Sequence, residues 1–412
     1  EEKRREKGVL LLSTKFKMEL LTFNLKDGYL EAMVRGYRSG FITMDEYHLI
    51  GQAETLEDMR TALEETDYGT FMQDEPLPLS VNVITQKCRE KFAHEFRMLQ
   101  SQAYEPLGKF LNYITYEKMI DNVVNLIQGA LNKKPAEELL ARLDPLGYFP
   151  EIRAFVALDL SSSFDELYKS ILIETPIGPY FDEFLTSFSG ENEDVTSIVK
   201  EMDLEILRSS LKKSWLEDFY RFCQTLNPTS AEVMSHVLKC EADFRLLAIT
   251  LNSLNFNFSS ASTLYPSFGY LYPEGTEQIR KAWNDTRVRA ALEPYSKYSA
   301  LYDQCKAFYV NDTANDFGLA DDKDESTDKK KSSSHKNLAD RQFKSLEDLL
   351  YAETVSMCEL VFDQQMNYGV FYAWARLKEQ EIRNLTWIAE MILMNRKDQV
   401  DAIVPIFAPR AR

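Results

Sequence analysis

The sequence predicts an all-α fold, and three observations carry that expectation. Glycine (15) and proline (14) are scarce for a chain of 412 residues, so few of the residues that punctuate sheets are available. Alternating runs of β-branched and polar residues, the mark of half-buried strands, hardly recur. Helix-start signals and apolar residues at helical spacing recur instead along the chain.

Single hydrophobic cores stop growing near roughly 250–300 residues, so this length implies two or three subdomains. Hydrophobic residues make up 44% and charged residues 27%, enough burial to offset the entropy of ordering a globular chain. The formal net charge of −17 argues against a nucleic-acid partner, which would need clustered Lys and Arg to displace counterions. It suits a basic protein partner better. Apolar runs such as Gly8–Leu12 and Leu246–Leu251 fall far short of the roughly 18–20 residues that span a bilayer, so a soluble or peripheral protein is expected.

Taken from the amino end, residues 1–17 are charged apart from Val9–Leu12 and read as a disordered extension, without the long apolar stretch of a secretory signal. Capping boxes, in which a hydroxyl and a carboxylate three residues on satisfy free backbone N–H groups, announce helices at Thr43–Glu46, Ser163–Glu166 and Thr229–Glu232, with a looser version at Ser345–Asp348. Residues 311–337 place an acidic block before a lysine and serine block with almost nothing to bury, and read as a mobile loop. In the last third, Phe343, Leu346, Leu350, Met357 and Leu360 mark one buried helix face. Val370–Met394 is apolar around most of its circumference and is expected to be a central core helix, with Phe371, Tyr372, Trp374 and Trp387 packed inside it. Residues 408–412 are left as a tail.

An internal repeat is the most informative feature. Glu117-Lys-Met-Ile-Asp121, Glu241-Ala-Asp-Phe-Arg245 and Glu379-Gln-Glu-Ile-Arg383 share a glutamate, an apolar residue three positions on and a charge at the fourth. About 20 residues before each glutamate lies an aromatic-rich helix, at His94–Arg97, Trp215–Tyr220 and Cys358–Phe362, so each unit contains a helical hairpin. Thr55–Gly69 and Ser163–Gly178 form a second shared piece in the first two units. The third has only an echo of it, Tyr272–Gly275 with Ile279-Arg280 against Asp144–Gly147 with Ile152-Arg153. The glutamates are 124 and 138 residues apart, which implies three similar helical modules over residues 18–140, 141–262 and 263–407.

Chemistry-bearing motifs are missing from the sequence. It contains no phosphate-binding Gly-x-x-x-x-Gly-Lys-Ser/Thr or Gly-x-Gly-x-x-Gly loop and no Gly-x-Ser-x-Gly elbow. Met98 stands where His94-Glu95 would need a second histidine to make a zinc-binding helix. Cys88, Cys223, Cys240, Cys305 and Cys358 include no Cys-x-x-Cys pair and read as reduced, buried thiols. Sequons at Asn257, Asn284, Asn311 and Asn384 read as chance matches. No cofactor, metal, nucleotide or catalytic residue is expected. The candidate functional residues are the repeated charges Glu117, Asp121, Glu241, Arg245, Glu379 and Arg383. Two readings stand side by side: Glu241 with Arg245 and Glu379 with Arg383 support their helices as pairs four residues apart, or the charges line a groove shared by the modules and meet a partner's polar tip.

Gly28–Gly36, Glu54–Met59, Thr66–Gly69, Tyr104–Leu107, Met119–Val123, Leu271–Gly275, Gly369–Ala373, Leu377–Glu381 and Ile403–Phe407 resemble, in order, the d subunit family of vacuolar-type proton-pumping ATPases. The resemblance spans about Met18 to Phe407. It implies a non-catalytic, funnel-like assembly of three helical modules on the cytosolic face of acidic-compartment membranes. Such an assembly would sit on the proteolipid c-ring, receive the base of the central rotor stalk and lie within reach of the large stator membrane subunit. Residues 1–17, 311–337 and 408–412 depart from the family pattern, as does Ala53, where cysteine is common, so no disulfide from that position is carried over. A helical-repeat adaptor that binds peptides in a groove is the alternative, although its repeats usually run about 20–50 residues.

Overall fold

A computed structural model describes residues 21–73, 75–132, 134–152, 175–188, 204–253, 264–282, 285–304 and 346–407. Among them every regular element is helical: the all-α expectation holds. The elements are α1 (21–37), α2 (Met44–Gly51), α3 (Leu56–Glu64), α4 (Gly69–Met72), α5 (Val81–Gln102), α6 (Leu107–Leu131) and α7 (Ala136–Ala141). After them come α8 (Gly178–Phe188), α9 (Leu204–Cys223), α10 (Pro228–Ser253), α11 (Glu274–Arg280), α12 (Asp285–Leu292), α13 (296–304), α14 (Leu346–Asp363) and α15 (Gly369–Leu393). The expectations for residues 1–17, 311–337 and 408–412, for Asn257, Asn284, Cys305, Phe343 and the Leu346 side chain, and for the Ser163–Glu166 and Ser345 starts lie outside the described residues. Among those residues no helix is long and apolar enough to cross a membrane.

Local signals set several helix starts. Thr43 and Glu46 form the capping box expected of them, and Thr55 with Asp58 forms a second at the start of α3. The Thr229 box does not form. Proline at the first helical position, Pro228, moves the start upstream, and Asn227 caps it by accepting from the Ser230 N–H at 2.9 Å.

Six long helices make three hairpins, α5–α6, α9–α10 and α14–α15, and the hairpins close on one another. The second helix of each packs against the first helix of the next, α6 on α9, α10 on α14 and α15 back on α5, and α15 also touches α6 and α10. Apolar burial drives most of this contact. Trp215 of α9 also donates to the Tyr113 carbonyl of α6 at 2.7 Å, and Thr85 of α5 meets Thr386 of α15 at 2.9 Å.

The central-helix expectation for α15 is met, with Phe371, Tyr372, Trp374, Leu377 and Leu385 buried. The face chosen for α14 needs correction. Leu350 and Met357 are buried but Leu360 is exposed, because the steps from 350 through 357 to 360 drift around the helix while Cys358 and Val361 stay on the inner side. Asn384 is 2% exposed and bonds through both amide atoms to Val404, which leaves no room for a glycan. The thiols of Cys88, Cys223, Cys240 and Cys358 are free and buried, as expected.

A polar side chain on the second helix of each hairpin pins the segment that leads into the next. Asn122 of α6 exchanges two hydrogen bonds with the backbone of Asp144, at 2.8 and 3.0 Å. Asp243 of α10 accepts from Tyr270 N–H, Leu271 N–H and Tyr298 OH. Glu381 of α15 accepts from Ile42 N–H and Tyr68 OH, near the start of the chain.

Beside the first of these pins, Gly147 is buried on the α6 backbone. A Cβ there would lie 2.7 Å from the Met119 nitrogen and closer still to the Lys118 carbonyl. Backbone cannot yield as a side chain can, so Gly147→Ala should lower stability by about 1–3 kcal/mol. Denaturant midpoints of the two proteins measure the difference.

Candidate functional site

Glu117 on α6, Glu241 on α10 and Glu379 on α15 stand at matching repeat positions on the second helices of the three hairpins. Because α15 touches both α6 and α10, the three carboxylates converge, and the residue that joins them is Arg376, one turn before Glu379. Its Nη1 lies 2.8 Å from Glu117 Oε2 and 3.1 Å from Glu379 Oε2, and its Nη2 lies 2.8 Å from Glu241 Oε1. Its Nε donates to the Tyr372 hydroxyl at 2.9 Å, and Tyr372 in turn donates to Glu241. The planar guanidinium supplies the fixed fork of donors that such sharing requires.

Further cations surround this centre. Arg245 pairs with Glu117 at 3.0 Å and Glu241 at 3.1 Å and lies over the Trp215 ring. Lys118 pairs with Glu379 at 3.0 Å. Lys212 of α9 reaches Asp121 at 2.8 Å and Glu117 at 3.5 Å, and Arg208 approaches Asp121 at 3.8 Å. Side-chain exposure is 9% for Glu117, 15% for Arg376 and 23% for Asp121, so the cluster is withdrawn from water without being sealed.

These contacts hold Glu117, Glu379 and Arg376 in their charged forms. Burial alone would raise the Glu117 carboxyl, but Arg376, Lys212 and Arg245 outweigh it and hold it well below the usual carboxylate range. Burial likewise opposes ionisation of Glu379, and Lys118 and Arg376 overcome it. Arg376 is pushed the other way, well above its ordinary value, because Glu117 and Glu241 outweigh its desolvation. Each carboxylate of the cluster pairs with at least one cation, so the acids are satisfied from within. Among the described residues no group of His, Cys, Asp and Glu has an arrangement fit for a metal ion.

The structure therefore brings together five of the six charges singled out in the sequence. The expected Glu241–Arg245 pair forms, while the Glu379–Arg383 pair does not. Lys118 and Arg376 already occupy Glu379, and Arg383 turns to donate to Gln380 at 2.9 Å and lies 3.4 Å from the Tyr351 ring centre. Sequence reasoning missed Arg376, Lys118 and Lys212. A signal for Arg376 exists three positions before each repeated glutamate, where Ile114, Leu238 and Arg376 stand: one cation in an otherwise apolar column. The ion pair Lys378–Glu381 was also hidden, inside a helix whose pattern reads as apolar. Its nitrogen and oxygen are 2.8 Å apart, with 2% and 0% side-chain exposure.

Known proteins are similar to this chain over nearly its whole length. The family model described as ATP synthase (C/AC39) subunit matches residues 30–403. A protein of Oryza sativa subsp. japonica named probable V-type proton ATPase subunit d is 39% identical over 392 residues, covering 94% of this chain and 99% of that protein. V-type proton ATPase subunit d1 of Arabidopsis thaliana is 38% identical over the same shares of both chains. V-type proton ATPase subunit d of Saccharomyces cerevisiae is 33% identical over 396 residues, covering 95% of this chain and 100% of that protein.

Proposed function

The chain belongs to the V-type proton ATPase subunit d family, within the C/AC39 subunits, and on that premise we propose that it is the non-catalytic coupling subunit of a rotary proton pump. It sits on the proteolipid c-ring at the cytosolic face of an acidic compartment and receives the central stalk. Torque passes through it while ATP hydrolysis and proton transfer take place on other subunits. The segments 18–140, 141–262 and 263–407 act as three modules of a funnel-like body.

The observation that supports this reading best is the near full-length match to proteins named as this subunit, joined to a fold suited to the task. A part that transmits torque must resist bending, and close-packed helices have the low compressibility of organic crystals. The closed cycle of hairpins adds that a load on any one of them reaches the other two. Where the central cluster keeps some exposure, at Asp121 (23%), Arg245 (21%) and Glu379 (20%), a polar tip of the stalk would meet it.

Detergent-solubilised membranes test the reading. The tagged chain should be recovered with the proteolipids and the stalk subunits, and compartments lacking the chain should fail to acidify. A tagged chain found wholly in a soluble pool, free of proteolipids, would overturn it.

A further inference from the structure

Building on the coupling role just stated, we propose that Arg376 is a positioning residue for pumping under load: it ties the three inner helices together so that the hairpins cannot shear past one another as torque crosses them. Apolar contact holds most of the hairpin cycle, and it is non-directional, so packed helices can slide on it in small steps. Charge-assisted hydrogen bonds to a guanidinium fork are directional. Arg376 contacts Glu117 on α6, Glu241 on α10 and Glu379 on its own α15. Displacement of any one inner helix against the others must lengthen at least one of those bonds.

The neighbouring cations tie fewer helices. Arg245 joins α10 to α6, Lys118 joins α6 to α15, and Lys212 joins α9 to α6. Ile114 and Leu238 occupy the positions that correspond to Arg376 in the other two hairpins, so one residue supplies the brace for all three. Tyr372 holds the guanidinium from its Nε side and binds Glu241 itself, which fixes the direction of the fork.

The chemistry predicts a load-dependent defect. Without opposing gradient little torque is stored and the apolar contacts suffice, whereas a steep gradient strains them and the hairpins slip. Pumps assembled with this chain, or with Arg376→Met, Arg376→Lys or Glu241→Gln, would be compared in sealed vesicles at saturating ATP. The initial proton uptake rate and the final pH gradient are both measured. Arg376→Met should keep the initial rate per assembled complex yet reach a gradient severalfold smaller. Arg376→Lys keeps the charge without the fork and should fall between it and the wild type. Glu241→Gln, a gentler change that weakens the tie to α10, should shift the same way to a smaller degree.

A wild-type gradient in Arg376→Met overturns the brace while leaving the coupling role intact. So does an equal fall of gradient and of initial rate per assembled complex, which reports a pump slowed at every load. Should Arg376→Met fail to assemble, the decision passes to Glu241→Gln, and an unchanged gradient there overturns the brace. If the wild-type chain supports no acidification, the coupling role itself fails.

Discussion

Replacing Glu381 by alanine should lower the unfolding free energy by about 3–5 kcal/mol, the usual cost of leaving a buried charge without its partner. Lys378 is 1% exposed and its ammonium lies 2.8 Å from Glu381 Oε1. Its other neighbours are the Gly40 carbonyl at 3.4 Å and the rings of Phe41 and Tyr68, which attract a cation but do not neutralise it. Glu381 also accepts from Ile42 N–H at 2.7 Å and Tyr68 OH at 2.6 Å, so its loss leaves two further buried donors open. Glu381→Gln should cost less, because its amide oxygen still accepts from one of them. The double substitution Lys378→Met with Glu381→Met should recover much of the loss, since a buried ion pair replaced by apolar groups is often nearly neutral. Urea unfolding of the four proteins measures this. A single Glu381→Ala change that leaves the midpoint unmoved would show that the charge finds water or another partner.

Glu381 does more than neutralise Lys378. It binds residues near the beginning of the chain from the last long helix, so the contact that closes the hairpin cycle is polar and buried. Asp243, at the matching position of the second hairpin, pins Tyr270 and Leu271 in the same manner. The first hairpin has Met119 at that position and uses Asn122 instead. Apolar packing would leave the register of each leading segment loosely set. These polar anchors fix it, and a mutation that frees one should loosen a junction between units while sparing the hairpins.

Helix class and hairpin positions were legible in the sequence because they depend on short-range patterns. Thr43 with Glu46 needs only three residues of context, and the burial of α15 follows from its apolar circumference. Thr229 misled because Pro228 competes for the same start and favours the first helical turn. Leu360 misled because a run of acceptable steps accumulates rotation that no single step reveals. At the candidate site the repeated glutamates were visible, but their partners were not. Glu379 has a cation four residues on and another three residues before, and local spacing cannot say which faces the interior. That choice was made by α6, which brings Lys118 to Glu379 and Glu117 to Arg376 from 261 and 259 positions away in the chain. No spacing within one helix encodes such an approach.

Acid titration offers the second large effect. Glu117 carries the cluster's most sheltered carboxylate, and Arg376, Lys212 and Arg245 hold its pKa well below the ordinary value of 4.5. A folded-state value below the unfolded one means that the group stabilises the fold fully above the unfolded value. That contribution disappears as pH falls through the folded value. The wild type should therefore keep the whole stabilisation at neutral pH and lose it progressively below about pH 4.5. Glu117→Gln leaves three cations with one carboxylate fewer, and at neutral pH it should cost about 2–5 kcal/mol, toward the upper end if water stays out. Because glutamine does not titrate, the gap between the two proteins should narrow steadily as acid is added. Thermal unfolding from pH 7 downward reads both quantities, and a gap that stays constant across that range would mean that Glu117 is not held ionised by its neighbours.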